Sequence, residues 1–168
     1  MAATIQIHEL TATMAGTDKT SGTVRFKLAN DQTVDANNPI TIPSTGGILK
    51  RSYTKQIRLY CSAAPDTQVD NLRAYADGSN TFGASIDVYA SPINPQTAFT
   101  ANATTWTEST DLFDYTSAAP CDMDAYDTAA ITDTGYGGDI LKLQMRVGAT
   151  ASSGTLSAET LTFAYDEI

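Results

Sequence analysis

Histidine occurs once in these 168 residues, at position 8, and cysteine twice, at 61 and 121. Serine and cysteine nucleophiles are activated by a base that an acid holds in place. The one imidazole here follows strand-like residues beside Glu9, with no motif-embedded nucleophile to serve. His8 therefore reads as a surface or edge histidine, and an enzyme is not expected. One His and two distant Cys also supply no ligand pair at zinc-finger spacing. Gly135, Gly137 and Gly138 follow a Thr/Asp turn but lack the Lys and the helix of a phosphate-cradling loop.

Basic residues are scarce and unevenly placed. Lys and Arg number 10 against 19 Asp and Glu, giving a net charge of −9 and a pI near 4.3. Phosphate backbones attract clustered cations, so nucleic acid is not expected as a direct partner. Residues 74–141 contain no Lys or Arg and ten carboxylates, a charge of −10, while the remainder sets ten basic residues against nine acidic ones. Long apolar runs are missing as well. Nothing approaches the 18 consecutive apolar residues of a spanning helix, and MAATIQIHELTAT has neither a basic leader region nor a long apolar core. The expectation is synthesis in the cytosol with no membrane partner, which leaves Cys61 and Cys121 as reduced thiols.

Leucine is sparse too, at 10 residues against 26 threonines. Threonine is stiff at its first torsion and suits pleated surfaces, so the chain reads as all-β. Strands are expected over 4–10, over 23–28 with Val24, Phe26 and Leu28 on one face, and over 52–61 with Ile57, Leu59 and Cys61 inward. Residues 30–43 read as a long turn and Gly46-Gly47 as another. Strands over 71–76 and 85–90 flank a hairpin connection at 77–83. Leu141, Leu143, Met145 and Val147 alternate with Lys142, Gln144 and Arg146, and Leu161, Phe163 and Tyr165 mark a last strand. Eight or so strands in one domain, 1–168, predict a two-sheet antiparallel sandwich of jelly-roll type. Residues 92–138 break the alternation and form an acidic, turn-rich elaboration, packed by Trp106, Phe113, Tyr115 and Tyr126.

Carboxylates are the one abundant reactive group. A glycosidase pair would be Asp111 with Asp114 or Asp122 with Asp124, although the eight acids of residues 108–139 more often form a solvated face. Hard oxygen ligands suit Ca²⁺, and Asp122, Asp124 and Asp127 are the candidate ligands. Counting from Asp122, however, the sixth and twelfth positions of an EF-hand loop hold Asp127 and Asp133 instead of Gly and Glu. Trp106, Phe113, Tyr115, Tyr126 and Tyr136 interleave with these acids as in sugar-binding loops, and core packing is the favoured reading of the same rings.

The stretches YTKQIRLY (53–60), DNLRAYADG (70–78) and TFGASIDVYA (81–90) resemble small β-rich virion proteins of tailed bacteriophages. The resemblance covers about a quarter of the chain and is one of texture. It implies a capsid decoration, or cement, protein that binds the major capsid protein or other virion proteins across capsomer seams. It implies a homo-oligomer such as a trimer, located in the virion after synthesis in the host cytoplasm. A docking surface is expected on the scaffold strands bearing Arg25, Lys27, Arg58 and Arg73, or through strand addition by residues 1–4 or 166–168. The alternatives are a carbohydrate- or receptor-binding module using residues 106–136, and a head–tail neck or tail adaptor.

Overall fold

The computed structural model describes residues 2–10, 15–95, 106 and 110–168. Its regular structure is β1 (Thr4–Leu10), β2 (Gly16–Asp18), β3 (Lys50–Arg51), β4 (Lys55–Ala63), β5 (Val69–Tyr75), β6 (Ile86–Ile93), β7 (Cys121–Asp122), β8 (Gly135–Val147) and β9 (Thr162–Glu167), with one 3-10 turn at Leu112–Asp114. All pairings between these strands are antiparallel. The fold is all-β, as composition predicts.

The larger sheet is organised by β8. One edge of β8 carries β4 and then β3, the other carries β6, and β1 and β2 continue outward from β4. The smaller sheet runs β7-β5-β9. Ile57, Leu59 and Cys61 of β4, Val88 and Ala90 of β6 and the odd-numbered residues 141–147 of β8 point to one face, where they meet Val69, Leu72 and Ala74 of β5 in a single core. Each large aliphatic buried there contributes about 1.5–3 kcal/mol. Pro92 pairs with Leu141 from the outer strand β6, where a missing N–H costs no ladder bond.

Four sequence expectations change. Residues 23–28 form no strand and join no sheet; their backbone bonds run from Leu28 N–H to the Asn38 carbonyl and from Tyr53 N–H to the Lys27 carbonyl. Residues 77–83 are not a hairpin connection, because β5 and β6 belong to different sheets and the segment crosses between them. The polar faces of β4 and β8 are not solvated: Gln56, Arg58, Lys142, Gln144 and Arg146 are all buried. Rings shield the cations, with the Arg146 guanidinium 3.8 Å above Tyr89 and the Lys142 ammonium 5.2 Å from the Trp106 ring centre. Within 92–138, Phe113 enters the core and Tyr115 packs against it as expected, but Tyr126 is 58% exposed. Glu108 and the other residues of 96–105 and 107–109 lie outside the described set.

Candidate functional site

Three polar constructions on this scaffold hold the groups that could act chemically. The first is a strap. Residues 19–43 cross the β1–β4 end of the core, where Val24, Phe26, Ile40 and Ile42 pack against it. Glu9 and Lys55 share the core face with Ile57, and their ion pair closes at 2.8 Å with both side chains almost wholly buried. Lys55 also donates to the Asp31 carbonyl at 2.6 Å, Lys19 lies 3.7 Å from Glu9, and the Gln32 amide donates to the Glu9 carbonyl.

Further along the strap, Lys27 is wholly buried, and its ammonium meets Asp31 Oδ1 at 2.5 Å, Thr33 Oγ1 at 2.8 Å and Asp35 Oδ1 at 3.3 Å. Asp31 accepts the Thr33 N–H and Asp35 accepts the Asn37 N–H, each at 2.9 Å. Such alternating oxygen donors are the arrangement that calcium loops use, and here a lysine of the same chain supplies the cation. The Lys27 bond, followed by that from Thr33, holds the Asp31 carboxyl down at about 2.

The second construction is a bulge in β8. Two extra residues sit between Gly137, opposite Leu59, and Leu141, opposite Ile57. Gly138 there has φ +68°, and a Cβ would strike the Leu72 side chain and come within 2.7 Å of the Met123 carbonyl. The bulge lies where β6 does not reach, so residues 123–127 run alongside it instead. Asp139 is completely buried and accepts the N–H groups of Tyr126 and Asp127, the latter at 2.8 Å. Arg58 donates from Nε to the Gly138 carbonyl and from a terminal nitrogen to Asp127, both at 2.8 Å. Burial pushes Asp139 up and Arg58 down, which marks a structural clamp in a dry setting. Outside it, residues 127 and 129–137 line a depression of about 270 Å³.

Third, His8 Nε2 donates to the Gln6 side-chain oxygen at 3.1 Å, which leaves Nδ1 to accept the Tyr136 hydroxyl at 3.0 Å. The imidazole stacks on Tyr60 at 4.7 Å, and Tyr60 meets Tyr136 edge-on at 4.9 Å. Burial holds His8 below its ordinary value, partly offset by Asp18. His8 is thus a packed, hydrogen-bonded part of the sheet and lies further inside than an edge histidine would.

The predicted site residues are dispersed. Asp122 and Asp124 stand together, Asp124 donating its N–H to Asp122 Oδ1 at 3.1 Å and the two carboxyls sharing a hydrogen bond, while Asp127 is held apart from them by Arg58. No group of three His, Cys, Asp or Glu side chains suited to a metal occurs among the described residues. Asp111 caps the 3-10 turn by accepting the Phe113 N–H. Of the expected docking cations, Lys27 and Arg58 are buried in ion pairs, because each neutralises acids that hold a loop down. Arg73 pairs with Asp166 at the surface and Arg25 is half-buried. Residues 166–167 already form β9, paired with β5, so they are not a loose tail. Cys61 and Cys121 are buried and form no disulfide, the Cys61 thiol donating to the Ala63 carbonyl at 3.1 Å, and burial pushes the Cys121 thiol up to about 11. No described helix is long and apolar enough to cross a membrane.

Two features escaped the sequence reading. The Asp31-Thr33-Asp35-Asn37 spacing was hidden in a segment read as a turn, although its alternation of short oxygen donors was a usable signal. Residues 44–50 are exposed throughout and lift Ile48 and Leu49, 52% and 48% exposed, beside Lys50 and Arg51. Two adjacent aliphatics after Gly46-Gly47 were the signal there. No family model, no curated protein and no solved structure matches the chain, and the functional reading stands on these side chains.

Proposed function

We propose that this chain is a non-enzymatic assembly protein of the virion, of the capsid-decoration kind that its middle strands resemble, with its two antiparallel sheets arranged as a jelly-roll-like sandwich. One observation carries the reading: among the described residues, the charged groups buried in the scaffold are spent internally. Glu9, Lys27, Lys55, Arg58 and Asp139 are buried and tied to partners that fix loops on the scaffold. The outside presents contact surface instead. Ile48, Leu49, Val34 and Ile168 are among the exposed large apolar side chains, and β9 is an edge strand. Exposed aliphatics and open edges serve association. A protein that stabilises a shell in this way adds interface across seams between capsomers, and binding to the closed shell alone shifts the balance toward it.

Cosedimentation with empty phage shells tests the reading. Saturable binding at a copy number matching the shell's symmetry axes is the expected result. No binding to shells, with binding to neck or tail particles instead, moves the protein to an adaptor role.

A glycan-binding reading has one observation in its favour. Tyr126 is exposed, and Tyr136 borders the depression beside Asp127, Thr132 and Asp133, a mixture of ring and hydrogen-bonding groups that suits a sugar. It predicts retention on immobilised glycans that Tyr126→Ala abolishes.

A further inference from the structure

The exposed loop and the depression lie at opposite ends of β8. Loop 44–50 runs into β3, which pairs with Arg146 and Val147 at the strand's last residues. The depression is formed around its first residues, Gly135, Tyr136 and Gly137. Some ten residues of strand separate them, roughly 30 Å at about 3.3 Å per residue. The two features therefore cannot meet within one molecule.

Their chemistry matches. The loop offers two projecting aliphatics, Ile48 and Leu49, followed directly by Lys50 and Arg51. The depression has Ala129, Ala130 and Ile131 in its wall, Tyr136 at one side, and Asp127 and Asp133 as its acids. Its volume of about 270 Å³ has room for a branched aliphatic side chain. No Lys or Arg occurs anywhere in residues 74–141, so the acidic surface around it has no cation of its own segment to answer it. Arg58, which does reach Asp127, approaches from the buried side.

We propose that loop 44–51 of one copy docks into the 127–137 depression of a second copy, so that the chain associates head to tail. Ile48 and Leu49 supply the apolar anchor, and the exposed Lys50 faces Asp133 and the neighbouring acids. A loop-to-depression contact is heterologous: each copy keeps one unused loop and one unused depression, and the series ends only in a ring or on another surface. The proposal deepens the assembly reading and rests on it, since it names a second copy of the chain as one of the partners.

Sedimentation velocity of the full chain tests it. The parent is expected to show a mass that rises with concentration and falls as salt screens the charged rim. Ile48→Asp with Leu49→Asp, both at exposed positions, removes the loop half of the contact, and Ala129→Arg blocks the depression. Each variant alone is expected to associate at least about tenfold more weakly, the scale of losing an anchor residue. Mixed one to one, they retain a single good loop and a single good depression between them, so the mixture forms dimers and stops there. A parent that stays monomeric at every concentration, or a loop variant that associates like the parent, overturns the proposal. Shell binding separates it from the broader reading: a monomeric chain that still saturates phage shells sinks the head-to-tail contact alone. A chain that associates through the loop but binds no virion particle sinks the virion role and leaves the contact standing.

Discussion

The Lys27 ammonium lies 2.5 Å from Asp31 Oδ1 and occupies the centre of an oxygen-lined loop. Lys27→Met keeps the apolar stem but removes the charge, leaving Asp31, Thr33 and Asp35 facing one another. The carboxylates sit about two-fifths exposed and can rehydrate, so the fold survives while the strap loosens. Hydrogen exchange is expected to speed at the Leu28, Thr33 and Asn37 amides and to stay slow in β8. The acid limit follows from Asp31. Its carboxyl titrates at about 2 in the fold against 3.8 ordinarily, so its contribution is full above about pH 4 and is lost as pH falls through about 2.

Glu9 and Lys55 form a pair of a different kind, because neither can reach water. Glu9→Ala strands the Lys55 charge inside and is expected to cost about 3–5 kcal/mol, whereas Lys55→Ala costs less because Glu9 keeps Lys19 at 3.7 Å. Combining Glu9→Leu with Lys55→Met removes both charges and fills the space, and much of that loss is expected to return. Urea midpoints for the single variants and the double variant measure the coupling directly. If the double variant is as unstable as the sum of the singles, the pair is not a unit.

These two pairs also show where the sequence is readable. Alternation in 141–147 and 56–61 correctly separates core residues from polar ones, since strand period decides which side chains share a face. It says nothing about what covers the polar face. Lys142 and Arg146 look solvated in the sequence and are buried because Trp106 and Tyr89, 36 and 57 positions away, lie over them. Sheet membership was equally illegible at 77–83: an Asp-Gly turn fits a hairpin, and only long-range pairing of β5 with β9 sends the chain across to the other sheet. Of the candidate site, the acids were visible but their partners were not, because Arg58 reaches Asp127 across 69 positions.

Gly138 gives a backbone test of the clamp that shapes the depression. Gly138→Ala must hold a positive φ and also push a methyl toward Leu72 and the Met123 carbonyl. The expected cost is roughly 2–4 kcal/mol, from about 1 for backbone strain and the rest for the clash. Gly47→Ala is the control, since φ is +79° but nothing lies within 4 Å of the added carbon, and its cost stays near about 1 kcal/mol. Thermal melts of both variants separate conformation from crowding. Equal shifts would mean that the bulge yields without resistance.

Asp124 sets a pH dependence opposite in sign to that of Asp31. Burial, followed by the hydrogen bond and charge of Asp122, pushes its carboxyl up to about 6, while Asp122 is held down. A carboxyl whose folded value exceeds its unfolded 3.8 carries no penalty below about pH 4. The penalty grows from there and is complete above about pH 6, so this group lowers stability as pH rises through that window. Asp124→Asn keeps the shape and removes the titration. Its melting temperature is expected to match or trail the parent at pH 4 and to exceed it at pH 7. Parallel curves across the window would assign the proton elsewhere, with Asp139, also pushed up by burial, the next carboxyl to substitute.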